Sequence, residues 1–563
     1  MKDEASGKAL DLTRAYHQRS KHLPHRHAAS LGYLDWDTQP DPFRRFDGAR
    51  TFSLELDPPG PEPRYEPAFV AGNVDPRPVD AAAVARLFQD ALSLSAWKAI
   101  PGTRWALRVN PSSGNLHPTE GYLVGPAFTG HLSDLPAVYH YAPHDHALEL
   151  RAELSDRAWR RISGQLPEGG MLVGLTSIYW REAWKYGERA FRYCHHDVGH
   201  AIACISIAAA GLGWDARLLE AVPDDDLGRL LGVDSQSGVE AEHPDCLIAV
   251  FPHGGAMRDG FDREFRLDDE LMSELAEVTW TGEPNTLSTG HQDWPVIDDV
   301  AAATTRHAGP PDRFWSSYFR PAGGIVPGDS LLSFRELIHQ RRSAVALDGR
   351  TGITRKAFYQ ILLKTMPGAD LIPFATLPWP PSVDLLLFVH RVEDLPGGLY
   401  VLVRDPRQNA LLRGSLDSRF SWTRAEGCPD GLEFFCLEEG DARRVARRTS
   451  CNQDIAADGA FAVALLARYR QPLEDFGSWF YRRLFWETGA IGQVLYLEAE
   501  ATGIRGTGIG CFFDDLTHRV FGIEGDDFQV LYHFTMGGPV EDRRLETHPP
   551  YAHLGRRGGS RGS

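Results

Sequence analysis

The chain is poor in cysteine, with seven in 563 residues, and no two stand in a C-x-x-C spacing. Cys194, Cys204, Cys246, Cys428, Cys436, Cys451 and Cys511 are scattered, which argues against a disulfide-stapled scaffold and predicts reduced thiols. An apolar run long enough to cross a bilayer is also missing, since the most apolar long stretch, Ala201 to Trp214, is too short. The opening Met-Lys-Asp-Glu-Ala-Ser-Gly-Lys lacks the apolar core of a secretory leader. Positive charge is in deficit: 59 Lys and Arg face 76 Asp and Glu, a formal net charge of −17. Phosphate backbones and anionic lipid surfaces are repelled by such a total. The expectation is a cytoplasmic protein that binds neither nucleic acid nor membrane.

What is present is ample apolar material, 42% hydrophobic residues beside 24% charged ones, enough for two to four domains. The first 20 or so residues are polar and read as loosely held, and the Gly558 to Ser563 stretch has the composition of a mobile tail.

Internal similarity divides the rest. Glu120 to Val124 reads as a strand followed by Leu135-Pro-Ala-Val-Tyr-His-Tyr141. Leu385 to His390 is followed in the same way by Leu395-Pro-Gly-Gly-Leu-Tyr-Val401. Arg192 to Gly199 opens a long apolar helix that runs into Gly211-Leu-Gly213, and Arg482 to Gly489 opens one that runs into Gly503 to Gly510. Ordered similarities of this kind indicate a duplicated unit. The expected division is a polar segment over 1–30, one α+β domain over 31–280, a Pro/Gly/Asp/Thr-rich linker over 281–329, a second domain over 330–552 and a tail over 553–563. Asp80 to Ser93 and Phe334 to Arg342 have helical spacing. Ala201 to Ala210 has no polar face except Ser206, which predicts burial at a domain centre or against the other half.

The segment with most chemistry is Asn110-Pro-Ser-Ser-Gly-Asn-Leu-His-Pro-Thr-Glu120, where two hydroxyls and a carboxamide stand in one rigid turn before a strand. Such a turn can meet the edge of a planar heterocycle. Arg341-Arg342-Ser343 ends a helix with guanidinium forks suited to a phosphate. Gly508-Ile509-Gly510 lets backbone N–H groups approach a ligand closely. His196 and His200 stand four apart on one helix, but Asp197 is shorter than the Glu of a zinc-protease helix and no third ligand is evident, so no metal is expected. Cys451 has no sequence-adjacent His and reads as a structural thiol.

In this order the motifs resemble the nitroreductase superfamily of FMN-dependent enzymes: Arg-Arg-Ser, a Pro-Ser-x-x-Asn loop and a Gly-x-Gly turn after a central helix, with the overall pattern present twice. The first half is similar, more narrowly, to the streptolysin-type azoline dehydrogenases, through Pro111 to Glu120 and Trp184-Lys-Tyr-Gly-Glu-Arg-Ala-Phe-Arg-Tyr193. The resemblance implies a duplicated fold closed as an intramolecular pseudo-dimer, FMN as cofactor, and Lys185 and Tyr186 as the proton-handling pair. It also implies one composite flavin site built from Ser112, Ser113 and Asn115 of the first half with Arg341, Arg342, Ser343, Gly508, Ile509, Gly510 and Arg544 of the second. The mirror site lacks these groups: Asp475 and Phe476 stand for Lys185 and Tyr186, and the first half offers only Arg26-His27 before Ser30. The implied activity is an FMN-dependent dehydrogenase of azoline-type or other peptide-derived or small organic substrates, with biosynthetic partner proteins and further oligomerisation both open. Its alternatives are an NAD(P)H-dependent nitro or quinone reductase and a flavin-less scaffold in a biosynthetic complex.

Overall fold

Two 22-residue helices, Ala190–Gly211 and Phe480–Ala501, pack against each other at the centre. Having almost no hydrophilic face, they can be satisfied only by burial, and the first is buried along its whole length. At their crossing Gly199 meets Gly489. A Cβ on Gly199 would stand 2.3 Å from the carbonyl oxygen of Trp486, and one on Gly489 would stand 2.3 Å from that of His196. Any side chain here would push the helices apart.

The computed structural model describes residues 2–256, 260–307 and 332–554. Each half contributes an antiparallel seven-stranded sheet. In the first, Ala137–Ala142, Thr119–Gly125, Met171–Ser177, His243–Pro252 and Trp214–Leu218 lie side by side. Ala147–Glu153 and Thr51–Ser53 extend that sheet at one edge. In the second, Gly398–Val403, Val383–Val389, Phe461–Arg468, Phe528–Gly537 and Arg505–Ile509 follow one another in the same order, extended by Glu433–Glu439 and Thr423–Arg424. The long helix enters each half at the same place in the chain, between the third and fourth of these central strands to form. The fold is therefore the expected α+β unit, twice. One apolar core spans both halves, and each sheet carries a smaller core on its outer face.

The halves are also joined by buried ion pairs that mirror each other. Arg192 donates to Asp514 at 2.8 Å, and Arg482 bonds Asp224. Both pairs obey the 290-residue offset that relates Gly199 to Gly489. Each aspartate starts a helix, Asp224–Leu231 or Asp514–Phe521, so the exposed N–H groups there add to the stabilisation of its charge. The Asp514 carboxyl is held far below the usual range by Arg189, Arg192 and Lys21, against the opposing effect of burial.

Two expectations need correction. The N-terminal residues are not loosely held: Lys2–Arg19 is a helix that buries Thr13, Tyr16, His17 and the following Ser20. His17 sits between Tyr481 Oη (3.0 Å) and Gln529 Oε1 (3.1 Å) of the second half. The i, i+3, i+4, i+7 spacing of these four residues makes a docking stripe that mean polarity conceals. The expected linker is packed where it is described. Glu283–Pro284 pairs with Phe46–Asp47, Pro295–Ala303 is a helix burying Ile297 and Val300, and only 308–329 of the linker and the tail from 555 onward lie outside the described residues.

Gly-to-Ala changes inside helices ordinarily gain up to about 1 kcal/mol. Gly489→Ala is expected to do the opposite, losing about 1–3 kcal/mol through overpacking, read as a lower urea midpoint with an unchanged m-value, whereas Gly7→Ala, in open space inside the helix Lys2–Arg19, should show the ordinary gain.

Candidate functional site

A cavity of about 480 Å³ lies between the halves, within the usual range for small-molecule sites. Its first-half wall is the hairpin Leu94–Ile100 and Thr103–Arg108, followed by the loop from Asn110 to His117. Its second-half wall is Arg341 to Val345, Thr507 to Cys511, Pro539 to Asp542 and Leu545. Glu546–His548, from the end of the second half, pairs with Leu94–Ile100, so the last strand among the described residues extends the first-half hairpin that walls the cavity.

The Pro-Ser loop is held in shape from behind. The Ser113 N–H and Oγ donate to Asp197 Oδ1 at 3.1 and 3.2 Å, the His117 N–H donates to Ser112 Oγ at 2.8 Å, and Asn115 Nδ2 donates to the Ala106 carbonyl at 2.8 Å. Gly114 and Asn115 take positive φ, 62° and 61°, a conformation that suits Gly and Asn and turns the loop back into the strand. Burial pushes the Asp197 carboxyl up to about 7, against the loop's hydrogen bonds. Glu182 is buried 3.5 Å from Ser112 Oγ, and desolvation and the neighbouring Asp197 raise it well above the carboxylate range. Two protonatable carboxyls thus back the loop.

On the opposite wall Arg341, 4% exposed, donates to the Arg108 carbonyl at 3.1 Å and lies 4.9 Å over the Tyr496 ring. Arg342 donates to the Ser95 carbonyl at 3.0 Å, and burial and Arg341 lower its guanidinium to about 10. Ser343 Oγ bonds Tyr496 Oη at 2.9 Å, and the same phenol oxygen accepts from the Gly508 N–H at 2.9 Å. The Gly508 donor is therefore engaged within the protein. The glycines have a packing reason: a Cβ on Gly508 would stand 1.9 Å from Tyr532 Oη, and one on Gly510 would stand 2.4 Å from the Tyr193 ring. Ile509 lines the cavity between them. Arg544 is not on the wall; its exposed side chain pairs with Asp542 at 2.7 Å.

Lys185 and Tyr186 end the helix Tyr179–Tyr186. Tyr186 lines the cavity beside Gly114, whose absent Cβ would lie 2.5 Å from Tyr186 Oη and 3.1 Å from Lys185 Nζ. Tyr193 meets the Tyr186 ring edge-on at 4.6 Å. Burial, then Glu182, raises the Tyr186 phenol well above its usual range, so it stays protonated. His196 stacks on Tyr532 at 4.3 Å, while His200 faces Gln493 and Tyr532 through its two nitrogens.

Sequence reasoning missed Lys98, Arg108, Asp197, Tyr496 and Tyr532, all on the cavity wall. A signal existed for Asp197 alone, because the 290-residue offset places it opposite Glu487. Glu487 accepts from the Ser382 N–H at 3.0 Å, as Asp197 does from Ser113, but also takes a bond from Arg404. The equivalent place in the other half is filled. Trp379, 2% exposed, packs on Trp486 and Phe480, and Thr376 bonds Ser206, which stands 290 residues before Tyr496. Phe476 stacks on Phe480 where Tyr186 faces the cavity, and Arg26 is exposed, donating to the Arg19 carbonyl.

The nitroreductase family profile matches residues 73–250 and 424–538, one segment in each half and together just over half of the chain. A crystal structure of a candidate nitroreductase from Anabaena variabilis is similar at 21% identity and a TM-score of 0.67, over 94% of this chain and 99% of that one. The E. coli McbBCD microcin synthetase complex with truncated pro-MccB17 is similar at 18% identity over 45% of this chain and 94% of its own, with a TM-score of 0.25. No curated protein matches. Two matched segments on two like-ordered sheets make the chain a member of the nitroreductase family, with the family's unit present twice in one polypeptide.

Proposed function

We propose that the chain is an FMN-dependent oxidoreductase that binds one flavin in the cavity between its halves, taken as 31–280 and 330–552, and dehydrogenates azoline rings of modified peptides or related small organic substrates. The observation that carries this reading is the meeting of the Pro-Ser loop and Arg-Arg-Ser on one cavity, while the equivalent place is filled by Trp379. The donor set fits FMN. Arg341, Arg342, Ser343 and Lys98 stand together on the wall as ligands for the phosphate, and Arg341 Nε and Asn110 Oδ1 are buried without a hydrogen-bond partner among the described residues. A ligand rich in heteroatoms would satisfy such atoms. When bound, FMN supplies the two-electron acceptor for hydride leaving a substrate carbon.

The azoline assignment rests on the likeness of Trp184 to Tyr193 and on the place of the Lys-Tyr pair. Tyr186 holds a proton at Oη toward the cavity, with Lys185 Nζ 5.3 Å from its ring centre. We assign removal of the substrate proton to these two groups, Tyr186 Oη passing its own proton toward Lys185 Nζ as it accepts the substrate's, a contribution of about 10²–10⁴ in rate. Asp197 anchors the loop and can itself hold a proton near neutrality. A flavin-less scaffold is the second reading, favoured by the internal hydrogen bonds that already occupy Ser113 and Asn115.

The purified protein is expected to release one equivalent of FMN per chain on heating; a colourless protein that takes up none removes this reading and promotes the scaffold. Arg342→Ala should weaken FMN binding by about 1.5–3 kcal/mol, measured by flavin fluorescence, and Arg26→Ala by much less. Lys185→Ala and Tyr186→Phe should lower azoline turnover while flavin content and Tm stay near the parent's.

Asp197 also gives a pH prediction. Its folded-state value, about 7, lies above the unfolded 3.8, so its contribution to stability falls as pH rises from about 4 to 7. Asp197→Asn keeps an acceptor for Ser113 but does not titrate. Relative to the parent, it should gain on the order of a few kcal/mol between pH 4 and pH 8, read from urea midpoints at both.

A further inference from the structure

Cys451 and Cys511 come from different turns of the second half, one after the helix Arg443–Thr449 and one after the strand Arg505–Ile509. Their sulfurs share a hydrogen bond at 2.7 Å. The two turns are tied independently of the sulfurs. Gln453 Nε2 donates to the Cys511 carbonyl at 2.9 Å and to the Ser450 carbonyl at 3.0 Å, and the Phe513 N–H donates to the Thr449 carbonyl at 2.7 Å. Both thiols are half-buried, and Cys511 is part of the cavity wall.

The pair differs from the other five cysteines. Burial raises the thiols of Cys194, Cys204, Cys246, Cys428 and Cys436. Cys511 is lowered by its hydrogen bond with Cys451 and by the Arg189 guanidinium, which also donates to the Gly510 carbonyl at 3.2 Å. Cys451 is raised correspondingly, so Cys511 is the more readily ionised of the two sulfurs. His22 and His27 also approach Cys511. His22 Nδ1, however, accepts the Ala28 N–H at 2.9 Å, which fixes the ring proton on Nε2, and Arg189 disfavours a cation there.

We propose that Cys451 and Cys511 are a redox-active dithiol that exchanges with low-molecular-weight, carboxylate-bearing disulfides entering the cavity. Lys98, Arg341 and Arg342 on the wall provide the positive charge that favours such a partner, while Arg505 is paired with Glu541. The Cys511 thiolate attacks one sulfur of R–S–S–R, that bond breaks, and the first RS⁻ leaves and takes up the proton released by Cys511. A mixed disulfide remains on Cys511. Cys451 then gives its proton to the departing second RS⁻ as its sulfur attacks Cys511 Sγ. Overall, two protein thiols are oxidised to one disulfide, and one external disulfide is reduced to two thiols. The thiol steps need no flavin, but FMN bound in the same cavity would draw on Lys98, Arg341 and Arg342, so the charge preference is read on protein freed of flavin as well as on protein as purified.

The test uses the full-length protein as purified, reduced, freed of reductant and exposed to oxidised glutathione, then alkylated and mapped by mass spectrometry without reduction. The expected result is a link between the Cys451 and Cys511 peptides, with five of the seven thiols still alkylated. Cys451→Ser should trap glutathione on Cys511, and Cys511→Ser should slow glutathione capture at Cys451 by at least about tenfold, as loss of the more ionised thiol requires. Cystamine, with amines in place of carboxylates, should react at least about threefold slower once each disulfide is normalised to its rate with free cysteine. Full alkylation of all seven thiols, modification of Cys428 before Cys511, or parental capture by Cys511→Ser would overturn the dithiol. A faster normalised rate with cystamine would overturn the carboxylate preference.

Discussion

The contact of two helix backbones at Gly199 and Gly489 is the constraint on which the rest of the structure depends. With no side chain at either position, the helices can approach until a carbonyl of one faces a Cα of the other. That separation sets where the neighbouring side chains lie. Asp197 and Glu487, each two residues before its glycine, hold the Ser113 loop of the first half and the Ser382 turn of the second. The Arg192–Asp514 and Arg482–Asp224 pairs then cross between halves, each cation neutralised by a carboxylate of the other. Removing one member would leave a buried charge uncompensated, which costs far more than the pair contributes. The halves therefore cannot part without exposing apolar core and unpaired charge together.

On this symmetric frame the two loop sites have diverged through a few contacts. Glu487 is matched by Arg404 and surrounded by Trp379, so its place is solid. Asp197 holds its loop without such a cation, its carboxyl rises toward neutrality, and an open cavity remains. The hairpin Leu94–Ile100 and Thr103–Arg108, with its third strand from the far end of the chain, is built over that side. One side thus gains stability from packing, and the other retains the buried polar atoms and titratable groups that a ligand or a proton transfer can use.

Several features were legible in the chain because they are local or periodic. The duplication, the central helices and the strand pairs followed from apolar spacing that burial must satisfy. Asp80 and Ser333 cap helices where the spacing predicted them to begin. The docking of Lys2–Arg19 was hidden, because four inward residues among many polar ones do not change the composition of a segment. Gly508 and Gly510 are required by Tyr532 and Tyr193, partners that no local motif could name.

The order of elements, their duplication and the separate chemical potential of the Pro-Ser loop and the Arg-Arg-Ser segment were determined by the sequence alone, since each depends on residues close together in the chain. Only the tertiary structure decided which of these segments share a wall. It brought Cys451 to Cys511 and, among the described residues, left Asp197 without the cation that Glu487 has. The physical reason is that charge, access and thiol reactivity depend on neighbours that no local motif names, 60 residues apart for Cys451 and Cys511 and 83 for Arg404 and Glu487.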